Sequence, residues 1–134
     1  MAVTLDDVAE LASALPQVTE GVRHGNRTWF VEGKAFAWER PFSKADLKRF
    51  GEVTPPDGPI VAMSVEDLEE KEAVLAAQPT AFFTIPHFDG FAAVLVQLRK
   101  VTKRVMRDAI LDAWLAAAPT KLATTYLEGR GPLR

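Results

Sequence analysis

Two histidines stand beside turns, each just after strand-like residues: His24 before Gly25-Asn26, and His87 within Pro86-His87-Phe88-Asp89-Gly90-Phe91. Imidazole changes charge near neutral pH and is a common metal ligand. Asp89, two residues beyond His87, could orient it as a general base or complete a His–His–Asp metal site. The surrounding pattern argues against both, because there is no HxH, no HExxH and no cluster of carboxylates. No serine sits in a Gly-x-Ser-x-Gly elbow. The one Gly-x-Gly, Gly129-Arg130-Gly131, lies outside any strand-to-helix turn. The chain has no cysteine, which excludes a disulfide scaffold, a thiolate metal site, an iron–sulfur cluster and a cysteine nucleophile. No catalytic residue, metal or cofactor is therefore expected, and structural or surface roles are favoured for the histidines. A small-ligand pocket near His24, Trp38, His87 and Asp89 stays open.

The densest charge feature is Arg99, Lys100, Lys103, Arg104 and Arg107, five cations in nine residues with no acid between them. Lys103, Arg104 and Arg107 share one shoulder of a helix, away from Met106, Ile110 and Ala113. Cations in a first turn oppose the helix dipole, yet the same helix end offers free N–H donors to an anion. The patch could therefore hold phosphates, helped by Lys48 and Arg49. Five contacts to duplex DNA would give a log–log salt slope near −4.5, about 0.9 per phosphate. The alternative is a solvated surface whose charges pair with an acidic second helix. A looser basic region, Arg23, Arg27, Arg40, Lys44, Lys48 and Arg49, is diluted by Glu20, Glu32, Glu39 and Asp46.

The elements that must position these groups follow from patterning. With 134 residues, 48% of them hydrophobic and 25% charged, the chain fits one domain with a core of its own, residues 1–134 with the packed part at about 4–122. The formal net charge of −2 argues against indiscriminate coating of nucleic acid. Thr4 caps a first helix whose Leu5, Val8, Leu11, Ala12 and Leu15 recur at helical spacing until Pro16. A weaker strand at Thr19–His24 precedes two strands, Thr28–Val31 and Lys34–Glu39, that flank a Glu32-Gly33 hairpin turn. Residues 44–50 read as a helical turn or loop, and Ile60–Met63 as a short strand. Ser64 and Asp67 have the spacing of a capping box, which starts a second helix there, its outer face acidic at Glu66, Asp67, Glu69, Glu70 and Glu72 around Lys71. Strands at Phe82–Ile85 and Ala92–Leu98 lead to a last long helix from about Thr102 to Ala118. A tail helix over Thr120–Leu127 is expected, with residues 128–134 frayed.

A βαβα alternation is absent, which disfavours a doubly wound parallel sheet. The order is α-β3-α-β2-α, an α+β two-layer sandwich with helices on one face of an antiparallel sheet. The other face would meet solvent or a partner. Trp29 and Phe30 have opposite parity on one strand, so only one can face the helices, provided the strand is regular. The other could stack on a base or bury against a second subunit.

The ordered motifs carry a resemblance. Leu15-Pro16, Glu20-Gly21 and Arg23-His24-Gly25, then Gly33-Lys34 with Phe36-Ala37-Trp38, resemble the opening of the MmcQ/YjbR family. Phe83-Thr84-Ile85-Pro86-His87-Phe88-Asp89-Gly90 followed by Ala93-Val94-Leu95-Val96 is similar to its second block, and Ala113-Trp114 with Ala118-Pro119 to its closing helix. The match spans roughly residues 8–122. The resemblance implies the sandwich already read, a topology shared with type III secretion chaperones. It also implies DNA binding, because members are commonly so labelled by similarity to double-wing nucleic-acid binders, and it supplies no catalytic residues. The start of the last helix is often acidic in the family, whereas this chain has Lys103, Arg104 and Arg107.

The functional expectation is a small, non-enzymatic, cytoplasmic binding protein, with duplex DNA as partner at Arg99–Arg107. The alternatives are a protein-interaction or self-associating module, such as a homodimer, using the open sheet face, or the small-ligand pocket. The N-terminus lacks the features of a signal peptide. No apolar run approaches the ~20 residues that cross a membrane.

Overall fold

In the computed structural model, which describes residues 2–130, the chain runs α1 (Leu5–Ser13), β1 (Val18–Arg23), β2 (Asn26–Val31), β3 (Lys34–Glu39), α2 (Lys44–Phe50), β4 (Ile60–Ser64), α3 (Leu68–Ala77), β5 (Phe82–Phe83), β6 (Ala93–Gln97), α4 (Lys103–Ala117) and α5 (Thr120–Arg130). A 3-10 turn at Pro86–Phe88 precedes β6. The six strands form one antiparallel sheet in the order β1-β2-β3-β4-β6-β5. The fold is the expected α+β sandwich. Residues 44–50 resolve into a capped helix, α2, and the frayed tail assigned to 128–134 is helical through Arg130. Residues 131–134 of that assignment lie outside the described residues.

The last long helix is capped by Thr102, whose hydroxyl accepts the Val105 N–H at 3.1 Å. It buries Met106, Ile110, Ala113, Trp114 and Ala117, the i, i+4, i+7 stripe that its sequence carries. Helices α1, α3, α4 and α5 all place side chains in this main core, against Trp29, Val31, Phe36, Val61, Met63, Val94 and Val96 of the sheet. Helix α3 begins four residues later than the Ser64 signal. Asp67, not Ser64, is its N-cap and accepts the Glu70 N–H at 2.8 Å. Ser64 remains paired with Ala93 in the sheet, and that ladder outweighs its capping potential.

The second face is not left bare. Ile60 and Ala62 of β4, with Ala93 and Leu95 of β6, point away from the main helices into a smaller core with Ile85 and Phe88. Trp38, Phe42, Phe50 and Phe83 pack around it. Helix α2 and the 3-10 turn thus cover the middle of the face assigned to solvent or a partner. The strand parity rule holds for Trp29, which is buried in the main core, and Phe30, which lies half-buried on the other side. It bends at Phe36. Trp29 pairs with Ala37 and Phe30 with Ala35, so Phe36 is the extra residue of a bulge, and Phe36 and Ala37 both reach the main core.

Candidate functional site: an acid-free cleft on the second sheet face

The small second core stops short of the β1–β2–β3 end of the sheet. There a cleft of about 1060 Å³ opens between the two hairpin turns, the segment after β3 and the loop after β5. Its walls follow from local chemistry. His24-Gly25 and Glu32-Gly33 both take positive φ (52° and 79°, 46° and 83°), the conformation of tight two-residue hairpin turns, and they set His24 and Lys34 at opposite ends of β2. Trp38 stands on β3 opposite Thr28, which is buried and donates its hydroxyl to the Asn26 carbonyl at 3.1 Å. The far wall is His87, Phe88 and Phe91. The Trp38 and Phe91 rings are 6.4 Å apart, and Phe91 is 49% exposed.

Three bases line this cleft, Arg23, Lys34 and Arg40, with the two histidines, and no carboxylate does. Arg40 is held in place. Its guanidinium pairs with Asp46 at 2.9 Å, donates to the Pro41 carbonyl at 2.6 Å and lies 5.6 Å from the Phe88 ring centre. Asp46 also forms the α2 capping box with Ser43, at 2.9 and 3.1 Å. Burial alone would raise the Asp46 carboxyl, but the Ser43 backbone N–H and the Arg40 guanidinium together hold it below its ordinary value. A folded-state value below the unfolded one means stability that is present above about pH 4 and lost as pH falls through the folded value. Acid titration of unfolding free energy should therefore show a loss below about pH 4 that is smaller in the Asp46→Asn variant, which keeps the contributions of Asp7 and Glu20. Parallel wild-type and variant profiles would exclude this role. Arg23 and Lys34 have no ion pair among the described residues, and Arg23 reaches back along the sheet to 5.9 Å from the Phe30 ring.

The far wall hangs on one buried side chain. Lys71, 6% exposed on α3, donates its ammonium to the Phe88 carbonyl at 2.6 Å and the Phe91 carbonyl at 2.8 Å. Burial pushes its ammonium below the usual lysine value, while the Asp89 charge opposes that shift. Sequence patterning puts Lys71 on a solvated acidic face. The structure instead points it inward, leaving Glu66, Asp67, Glu69, Glu70 and Glu72 exposed.

Of the four pocket residues read from sequence, His24, Trp38 and His87 line the cleft, and Asp89 does not. Asp89 lines a separate hollow with Lys71, Glu69 and Glu72, so a His87–Asp89 pair is not assembled across the cleft. Among the described residues no cluster of three His, Cys, Asp or Glu could hold a metal ion. Spacing does not show Lys34, Phe91 and Lys71 as parts of one site. The signal for Phe91 was its place in an aromatic loop already flanked by a turn.

The basic run at the start of α4 is divided. Arg99 pairs with Asp57 at 2.7 Å and Lys103 with Asp7 at 3.3 Å. Lys100, Arg104 and Arg107 are exposed and have no ion pair among the described residues. The counter-ions come from α1 and the loop before β4, not from the acidic α3. Glu66, just before α3, and Glu70 of α3 instead line a cavity of about 480 Å³ with Asp108 and Asp112 of α4. Burial, then Glu70 and Asp108, raises the Asp112 carboxyl. Lys48 and Arg49 sit on α2, across the sheet from α4, and Arg49 turns to Asp46 at 3.7 Å. They do not join the α4 cations in one surface.

No helix among the described residues is long and apolar enough to cross a membrane. The YjbR family model matches residues 13–116. A protein of Mycobacterium bovis and one of Mycobacterium tuberculosis strain H37Rv, both described as uncharacterized, are each 42% identical over 131 residues, 96% of this chain and 98% of theirs. A crystal structure of a Deinococcus radiodurans DUF419 protein is similar with a TM-score of 0.62 at 17% identity, covering 85% of this chain and 78% of that one, a likeness of fold. With a family model spanning the sheet and helices α2, α3 and nearly all of α4, and relatives aligned almost end to end, this chain belongs to the YjbR family.

Proposed function

We propose that the protein is a non-enzymatic binding protein that takes a small phosphate-bearing ligand in the cleft on the second sheet face. One observation carries the reading: acids outnumber bases in the chain, 18 to 16, yet the cleft gathers Arg23, Lys34 and Arg40 with no carboxylate. A concave site with few polar groups on an apolar wall is the usual form of a ligand pocket. Arg40 is already neutralised by Asp46, so Arg23 and Lys34 supply the free positive charge. Calorimetric titration with ribose 5-phosphate tests this. Reversible, salt-sensitive binding is expected, with the ligand recovered unchanged and the affinity at least tenfold weaker in Arg23→Glu/Lys34→Glu. Absence of binding at low salt, consumption of the ligand, or equal binding by the variant would each overturn it.

A second reading, duplex DNA at the start of α4, is favoured by the unpaired Lys100, Arg104 and Arg107. Three free cations in place of five lower the expected log–log salt slope to about −2.7, at 0.9 per phosphate. Fluorescence anisotropy with a duplex at several salt concentrations measures it. No binding at 50 mM salt, or binding unaffected by Arg104→Glu/Arg107→Glu, would remove this reading.

A further inference from the structure

The two edges of the sheet are built differently. Strand β5 ends one edge and is two residues long, a common way to blunt it. Strand β1 ends the other and runs six residues with neither proline nor lysine. Its hairpin with β2 turns through His24-Gly25, so Arg23 and Asn26 close it as a hydrogen-bonded pair. Alternation from that pair turns the N–H and C=O groups of Glu20 and Val22 away from β2. No backbone group of the described residues bonds to them there. The side chains do not guard this edge either. The Glu20 carboxylate folds back over β2, accepting from Arg27 at 2.8 Å and Trp29 at 3.0 Å, and Val22 is 72% exposed. Gly21 between them has no side chain, and the Phe30 ring leans to within 3.3 Å of where its Cβ would stand.

We infer that β1 is a self-association edge whose partner is a second copy of this chain, paired antiparallel about a two-fold axis at Gly21. Such an axis stands perpendicular to the sheet, so residues that pair across it share parity. The registers that bring outward groups together differ in chemistry. Centring on Glu20 sets two like charges directly opposite. Centring on Val22 draws in His24, whose φ of 52° is not extended. Centring on Gly21 pairs Glu20 with Val22 of the second copy, and Val22 with its Glu20. That gives about four main-chain hydrogen bonds, two for each pair. It also sets glycine against glycine where the strands approach most closely, with a Phe30 ring beside each. Arg23 then faces Thr19 of the second copy, and Val22 gains a diagonal contact with its own counterpart. No like charges stand directly opposite. The two sheets become one, and both clefts open on the same side of it, each with its Arg23 at the junction. This pairing is independent of what the cleft binds.

Analytical ultracentrifugation of the full chain from about 1 to 500 μM should show a monomer–dimer equilibrium in the micromolar range, as suits a small interface. Val22→Pro removes one outward N–H and spares the ladder with β2, as edge strands allow. It should weaken the dimer at least about tenfold while the circular dichroism stays that of the wild type. Val22→Glu, at an exposed position, sets a second carboxylate opposite Glu20 of the other copy and should weaken the dimer as well, whereas Val22→Lys should keep or tighten it. In the wild type, the Glu20 and Val22 amides should exchange several-fold more slowly at the higher concentration, because the dimer bonds them. A monomer throughout the range, or a dimer that neither Val22→Pro nor Val22→Glu weakens, would overturn the inference. A dimer that Val22→Lys weakens as much as Val22→Glu would overturn the register centred on Gly21.

Discussion

Trp114→Ala should be among the most damaging single substitutions in this chain, costing about 4 kcal/mol of folding free energy, within the ~3–5 kcal/mol of a large aromatic removed from a core. The indole is fully buried, packs 5.1 Å from the Tyr126 ring and donates Nε1–H to the Pro16 carbonyl at 3.1 Å. It therefore ties three segments together: the turn after α1, the last turn of α4 and the tail helix α5. Truncation leaves a cavity and strands the Pro16 carbonyl. Trp114→Phe separates these parts. It keeps most of the volume and loses only the hydrogen bond, so about 1–2 kcal/mol is expected. Urea unfolding of both variants measures the pair. If the alanine variant loses under 2 kcal/mol, α4 does not anchor the fold as described.

Lys71→Met should cost about 2–4 kcal/mol and, more tellingly, loosen a loop on another element. The substitution keeps the side-chain length but removes two charge-assisted hydrogen bonds, each worth roughly 1.5–3 kcal/mol, and leaves the Phe88 and Phe91 carbonyls without their donor. Removing the buried charge recovers part of that loss, because burial disfavours the ammonium. The sign with pH follows. A lysine whose folded value lies below its unfolded one makes the wild type gain stability as pH rises from the folded value toward about 10.4, where the unfolded chain holds more protons. The variant should lack that rise. Amide exchange should quicken over residues 86–91 and stay unchanged in β1 and β2. Exchange unaltered in that loop would show that Lys71 does not hold the cleft wall.

These two residues also mark what the sequence could and could not tell. Trp114 was legible as core because α4 is strongly periodic and bounded by a start signal, Thr102, and a stop signal, Pro119. Lys71 was not. Five acids, Glu66, Asp67, Glu69, Glu70 and Glu72, lie within five residues of it, so local patterning places it in water, while its true partners lie 17 and 20 residues away in a loop. The α4 cations show the same limit. Adjacency in sequence suggests one patch, but the acids that neutralise Arg99 and Lys103 come from Asp57 and Asp7, and Lys48 and Arg49 fall across the sheet. The second core could have been read. Ile60–Met63 and Ala93–Val96 are unbroken apolar runs, not alternating ones, and a strand apolar on both sides must be covered on both sides. The parity that separates Trp29 from Phe30 also separates Val61 and Met63 from Ile60 and Ala62, one pair in each core.

His24 sits at the rim of the cleft with φ of 52°, at the first position of a turn that glycine fills with less strain. The Asn26 side chain, donating to the His24 carbonyl at 3.2 Å, steadies that turn without removing the strain. Glycine at position 24 would relax the backbone and strip an imidazole from the cleft in one step. If the cleft binds as proposed, stability and binding oppose each other at this one residue of a hairpin.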